Sequence, residues 1–238
     1  MTTYARPARA ILAALVAGAL YAAPAQADNF LIEDFDNVST LGASGWVQVN
    51  ASSPAVPGDP WFQGNSAVFD AYSGAPDSYV ATNFTSAGFG GVVSNWLLLP
   101  ELTLNGFTQF TFATRSAGSF PDRLEVRLST NGGSTSLGDF STLLLTLNPA
   151  LNPGSYPSEW TTYTLDLGVV LSPIATTGRL AFRYFIDDNS VNGDYVGIDS
   201  VRVSPVPEPA TMTLLGLGLA SLAVHRRRAS ARAEGSVK

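Results

Sequence analysis

Alternation of apolar and polar residues at a period of two constrains this chain more than any other feature. Arg123-Leu124-Glu125-Val126-Arg127-Leu128 puts three aliphatic side chains on one face and three charges on the other. Arg179–Ile186 places Leu180, Phe182, Tyr184 and Ile186 together, with Arg179, Ala181, Arg183 and Phe185 opposite. Phe107–Thr114, Leu143–Leu147, Thr161–Leu167 and Tyr195–Val203 also read as strands, and Asn29–Phe35, Trp46–Val49, Ala67–Phe69, Tyr79–Phe84 and Trp96–Leu99 are earlier candidates. Turn signals fall between them at Asn105-Gly106, Asn131-Gly132-Gly133, Asn152-Pro153-Gly154 and Asn192-Gly193. Residues 28–205 hold no sustained 3.6-residue periodicity and no internal repeat. The expected fold is all-β, a two-sheet antiparallel sandwich with helix limited to short turns or 3₁₀ pieces.

Two Pro-rich stretches interrupt the pattern. Ser52–Gly64 reads as a long loop, yet it contains Trp61 and Phe62, whereas loops usually expose polar groups. These aromatics form either a platform for a sugar ring or the pins that hold the loop to the sandwich. Tyr156 and Trp160 in the second stretch carry the same two readings.

The ends of the chain read as addresses. Arg6 and Arg9 precede the apolar run Ala10–Leu20, and Ala25-Gln26-Ala27 supplies a small-x-small cleavage pattern. Residues 1–27 are thus expected to be a secretory signal peptide. The alternatives are a short membrane anchor, for which the run is short, or a core helix. At the other end, Pro207-Glu208-Pro209 precedes the apolar run Thr211–Val224 and then Arg226-Arg227-Arg228. A membrane helix is expected over about 210–224, with an Arg-rich tail at 225–238 that stays cytoplasmic. The run is at the low end for a span, and its small residues would let a partner helix approach closely. What remains, 28–205, is one domain, long enough to bury roughly 70% of its unfolded surface.

Composition removes whole classes of chemistry from that domain. The chain has no Cys, its one His is His225, its one Lys is Lys238, and its Met residues are Met1 and Met212. No Ser-His or Cys-His dyad, thiolate or imidazole zinc site, Schiff-base lysine or P-loop lysine is available in the body. The whole chain is −6, but 28–205 holds 17 Asp/Glu against 6 Arg, a net of −11. Such a surface repels phosphate backbones and argues against nucleic acid as a partner. Its carboxylates favour hard cations such as calcium.

The densest cluster of oxygen ligands is Asp187–Asp194. From Asp188, the spacing Asp188-x-Ser190-x-Asn192-Gly193 followed by Asp199 at the twelfth position fits a loose calcium-loop pattern. The twelfth residue is Asp rather than the longer Glu, and strands rather than helices flank it. The other reading is a hairpin with an Asn-Gly turn. Paired carboxylates for glycoside hydrolysis have only Glu33, Glu101, Glu125 and Glu159 as Glu candidates, at no short acid-x-acid-x-x-Glu spacing.

Two resemblances follow from these residues. The ordered triplet, apolar run and Arg cluster of the C-terminus closely resemble the PEP-CTERM sorting signal of Gram-negative bacteria. That resemblance implies an exosortase as partner, transient seating in the inner membrane, removal of the tail near Pro207-Glu208-Pro209, and a final place at the cell surface or in the extracellular matrix. A permanent single-pass anchor is the other reading. The body is similar in order to the choice-of-anchor J domain, a relative of cleaved-adhesin and MAM-like jelly rolls. The matching segments are Glu33-Asp34-Phe35-Asp36, Gly45-Trp46, Trp61-Phe62-Gln63-Gly64, Gly74–Ala81, Asn95-Trp96-Leu97-Leu98-Leu99-Pro100, Asp122–Gly132 and Asp194–Val201. They span roughly 30–203, and the chain departs from MAM relatives in lacking every Cys. The resemblance implies a non-catalytic extracellular jelly roll and a structural calcium between the first and last strands. It would be held by Asp36 and Asp199, with Asp34 and Asp77 as further candidates. The expected role is a structural or adhesive component of the envelope or matrix, gripping polysaccharide or a surface protein. The alternative is a polysaccharide hydrolase using Glu125 or Glu159.

Overall fold

The structure, a computed structural model, describes residues 31–206 together with Gly216, Gly218, Leu219, Ser221, Leu222 and His225. The signal peptide, Pro207, Glu208, Pro209, Arg226, Arg227, Arg228 and most of the expected membrane helix lie outside the described residues. Among the described residues no helix is long and apolar enough to cross a membrane. Residues 28–205 form one compact unit.

Thirteen strands make up the described body: β1 (Leu31–Glu33), β2 (Val47–Asn50), β3 (Ser53–Ala55), β4 (Phe62–Gln63), β5 (Val80–Asn83), β6 (Ala87–Leu98), β7 (Leu102–Leu104), β8 (Thr108–Ser116), β9 (Leu124–Ser129), β10 (Thr142–Leu147), β11 (Thr161–Asp166), β12 (Thr176–Ile186) and β13 (Tyr195–Pro205). They pair antiparallel into two sheets. The first has the order β11-β8-β13-β5-β4, with β1 also on β13. The second has the order β10-β9-β12-β6-β2, with β3 on β6 and β7 on β12. The chain changes sheets at β1–β2, β3–β4, β5–β6, β7–β8, β8–β9, β10–β11, β11–β12 and β12–β13, which makes the sandwich jelly-roll-like. Within 31–206, helix is confined to four 3₁₀ segments, the longest being Val38–Ser44; the described residues of 216–225 are α-helical.

The period-two faces point as the sequence implies. Leu124, Val126 and Leu128 of β9 and Leu180, Phe182, Tyr184 and Ile186 of β12 face inward, against Phe110 and Phe112 of β8 and Val201 and Val203 of β13. The Phe112 ring meets Phe182 edge-on at 4.9 Å between centroids. A fully buried Phe contributes about 2–3 kcal/mol by burial, so this stack fixes the spacing of the sheets. The outward row of the second sheet is ionic and aromatic. Glu125 bridges Arg127 and Arg183 at 2.7 and 3.2 Å, and Arg183 lies 3.7 Å over the Phe185 ring.

Three expectations need correction. Ala67–Phe69 is no strand: the Asn65 side chain accepts the Ala67 N–H, and the Val68 N–H bonds Asn65 O, closing a turn. The Ser52–Gly64 loop contains β3 and β4, short strands whose Pro-rich surroundings hide any alternation. The Asn192-Gly193 segment is not a hairpin turn. β12 and β13 belong to different sheets, so the segment is a corner that carries the chain across the sandwich.

Candidate functional site

Near its middle, β13 is bent. Its register with β8 shifts between Asp199 and Arg202, and Ser200 there has φ 52°. Opposite, just past β1, Phe35 has φ 53°. Non-glycine residues in the left-handed region are costly and persist where packing over-determines them. Here they turn three carboxylates toward one junction. Asp199 is fully buried and accepts N–H bonds from Ser73 at 3.0 Å, from Ser200 and from Tyr72. Burial pushes its carboxyl up to about 6 against those hydrogen bonds, and the neighbouring Asp34 adds to the rise. Asp34 pairs with Arg202. Asp36 has its Oδ1 3.6 Å from where a Gly74 Cβ would stand. Asp77 belongs to the same 70–78 loop and is exposed. The structure thus brings Asp34, Asp36 and Asp199 to one junction around Ser73, Gly74 and Ser200, with Asp77 on the loop that covers it. Among the described residues no three carboxylate or imidazole side chains close into a ready metal cage.

Asp188 and Asn192 are elsewhere, at the sheet-crossing corner. The Asp188 carboxylate accepts the Ser190 N–H at 2.8 Å and its hydroxyl at 2.6 Å, and the Asn192 N–H bonds Asp188 O. Asp199 stands at the bend of β13, facing Ser73, and not at this corner, so the twelve-residue loop reading loses its twelfth ligand. The corner is anchored by the fully buried Asp122. Its Oδ1 accepts the Tyr184 hydroxyl at 2.7 Å and the Asp194 N–H at 2.8 Å, while its Oδ2 has no hydrogen-bond partner. Desolvation raises this carboxyl to about 6.

The aromatic candidates separate. Trp61 and Tyr156 are buried, so neither offers an open face for stacking. Tyr156 exchanges a 2.7 Å hydrogen bond with Thr114. Phe62 is half-buried, 5.9 Å from the Tyr195 ring. Half-buried Trp160 donates its indole N–H to Asp70 O at 2.8 Å and meets Phe69 and Tyr79 edge-on. This cluster pins the 64–78 segment onto the outer face of the first sheet. It needs Gly197 beneath it, because a Cβ there would stand 2.9 Å from both Phe69 and Tyr79.

A cleft of about 680 Å³ opens between the Val38–Ser44 segment, β2 and β4. Asn37, Ser39, Gln48, Asp59 and Gln63 line it around Trp46 and Trp61. Both indole N–H groups are buried without an acceptor, an arrangement native proteins generally avoid unless something else supplies one. Gln63 ties this cleft to the acidic junction: its Oε1 accepts the Val38 N–H at 2.8 Å, and its Nε2 donates to Phe35 O and Asp77 O. Sequence reasoning missed Gln63 as a brace and Trp46 as a cleft wall, although both stand in the quoted Gly-Trp and Trp-Phe-Gln-Gly motifs.

The carboxylates considered for hydrolysis do not pair. Glu125 lies on β9, bridged to two arginines. Glu159 is exposed beside β11 of the other sheet, 3.8 Å from Arg115.

Comparison with known proteins agrees with this geometry at both levels. Residues 205–228 match the PEP-CTERM protein-sorting motif. The motif indicates export to the cell surface or the extracellular space and implies processing by an exosortase. Among solved structures, the chain is similar to the K1 cleaved adhesin domain of Lys-gingipain from Porphyromonas gingivalis, at TM-score 0.50 and 23% identity over 73% of this chain and 96% of that one. It is also similar to the K2 cleaved adhesin domain of Lys-gingipain, at TM-score 0.50 and 18% identity over 73% and 98%. At these identities the likeness establishes the fold. A search of curated proteins finds no match. The chain therefore joins a motif for export and surface sorting to a body with the sandwich fold of those domains.

Proposed function

We propose that this protein is a non-catalytic structural or adhesive component of the cell surface or extracellular matrix, released from its membrane tail by an exosortase and gripping polysaccharide. The observation that carries this reading is the sorting motif at 205–228. The body it delivers holds no Ser-His or Cys-His pair, and Glu125 and Glu159 stand on different sheets. The cleft beside Val38–Ser44 is the polysaccharide subsite. Sugar hydroxyls both donate and accept hydrogen bonds, and the exposed side chains of Asn37, Ser39 and Asp59 on the cleft wall can answer both. A cleft lined by Asn37, Ser39, Gln48, Asp59 and Gln63 beside Trp46 offers several convergent polar groups to such a ligand.

The acidic junction fits a structural calcium ion. Its donors are hard oxygens from Asp34, Asp36 and Asp199, and Asp199 is buried without a positive partner of its own. When bound, the ion would supply the charge that this carboxylate lacks. Asp77 is the residue of the covering loop that stands ready to add a ligand.

The test is binding of the purified protein to a panel of extracellular polysaccharides, scored beside release of reducing ends. Binding without turnover is expected, weakened by Asp59→Ala at an unchanged melting temperature. Turnover abolished by Glu125→Gln or Glu159→Gln would instead establish the hydrolase reading.

A further inference from the structure

β13 ends at Pro205, which pairs with Thr108 at the start of β8. The pole of the sandwich where the chain departs toward its tail is therefore also the pole that carries Phe107. The 167–174 segment packs on the same turn. The Gly106 N–H bonds Ser172 O at 2.7 Å, and a Cβ at Gly106 would stand 2.8 Å from Leu171 O, so only glycine allows this approach. Phe107, Val169 and Ile174 are thereby gathered at one pole with more than half their surface exposed, Val169 at 82% and Ile174 at 79%. Exposed apolar groups gathered in this way signal an interaction surface.

Charge is distributed just as unevenly. Within 28–205 the net charge is −11, yet 102–114 contains no charged residue and 166–178 contains only Asp166. The Asp166 carboxylate is turned back to accept the Gly168 N–H at 2.8 Å. Glu101 and Asp139 lie at the same end of the second sheet, around Gly133 and the β9–β10 turn, so an anionic lipid surface repels the Phe107–Val169–Ile174 patch less than the rest of this body. Connectivity adds a limit on distance. The apolar run begins at Thr211, and the covalent span from Pro205 is at most about 20 Å when fully extended.

We infer that the Phe107–Val169–Ile174 pole rests on the bilayer that holds the uncut tail, its apolar side chains entering the interface. The inference rests on the sorting reading, in which the tail sits in the membrane before it is cut. Side chains of this kind reach about 5–10 Å into the headgroup and acyl boundary. Contact there keeps Pro207-Glu208-Pro209 at the membrane surface, within reach of a membrane-embedded processing enzyme. It also gives the body one orientation while it waits.

The absence of Cys makes the test clean, because any introduced thiol is the only one. Phe107→Cys, Val169→Cys and Ile174→Cys are labelled singly with an environment-sensitive fluorophore in the full chain. The chain is reconstituted in vesicles of phosphatidylethanolamine and phosphatidylglycerol containing nitroxide lipid. Phe89→Cys is the control for exposure, since Phe89 is 91% exposed and stands by the sheet-crossing corner, where Asn189 bonds Gly91. Ser221→Cys reports the tail. The expected result is a blue shift and nitroxide quenching at 107, 169, 174 and 221, with neither at 89. Quenching at 221 alone overturns the proposal and leaves the sorting reading intact. Quenching at 89 as strongly as at 107 overturns it too, since the body would then have no preferred pole. A water signature at every position, tail included, overturns both.

Discussion

β8 and β13 run side by side from one pole of the sandwich to the other, and the two ends differ in how their carboxylates are placed, although both expose apolar side chains, Phe89, Phe120 and Val191 at one and Phe107, Val169 and Ile174 at the other. At the corner pole, where β12 crosses to β13, Asp122, Asp187, Asp188 and Asp194 accept hydrogen bonds from a backbone that has left its ladder, or pair with Arg123. At the exit pole the turns beside β8 and β13 close on backbone carbonyls and on Asn105 and Asp166, and leave Phe107, Val169 and Ile174 outside. The difference teaches that carboxylates are used in this fold where a corner must be tied down. Beside the ends of β8 and β13, next to the departing tail, only Asp166 carries one.

The first way to break the comparison is by pH. Asp122 titrates near 6 in the folded protein and near its ordinary value of 3.8 when unfolded. A raised carboxyl contributes stability that is fully present below the unfolded value and is lost as pH rises through the folded one. The loss amounts to about 3 kcal/mol for the two-unit difference. Asp122→Asn keeps an acceptor for Tyr184 but removes this titration. Denaturant unfolding at about pH 4.5 and about pH 7 should therefore show a markedly smaller loss in the variant. Equal losses in the two proteins would mean that the corner is not the titrating pole.

Calcium should act between the poles, at the bend of β13. At a hundredfold excess over Kd, a ligand bound only to the native state adds about 2.7 kcal/mol, which raises the melting temperature by roughly 5–10 °C for a body of this size. EDTA should lower the melting temperature and calcium restore it, while Asp199→Asn should abolish the response. A melting curve indifferent to both additions would remove calcium from the junction.

Smaller effects sharpen the contrast. Tyr184→Phe deletes a buried hydrogen bond to Asp122, expected to cost ~2 kcal/mol at neutral pH. Val169→Ser and Ile174→Ser at the exit pole should each stay within about 0.5 kcal/mol of wild type. If the serine variants destabilised the fold as much as Tyr184→Phe, the exit pole would be part of the packing rather than a free surface.

The sequence made β9 and β12 legible because each is paired on both sides and presents one face to the core, so alternation is enforced at every residue. β3 and β7 were not legible. Each is three residues long and pairs with one neighbour, which imposes no face on either. Asn192-Gly193 misled for a different reason. A local turn preference describes how the backbone bends and not which sheet it reaches next. Of the candidate site, Asp34, Asp36 and Asp199 came from the order of motifs shared with a family. No spacing connects positions more than a hundred and sixty apart in the chain. Trp61 was visible as an anomaly in its loop, but its orphaned N–H and the brace from Gln63 depend on packing that only the fold supplies.

The central claim is that the tail is an address and the sandwich is what is delivered. The most direct test is the intact mass of the protein recovered from the cell surface or medium. The account predicts a chain that ends near Pro209, without the apolar run or the Arg cluster. A recovered form that still carries Lys238 would contradict it.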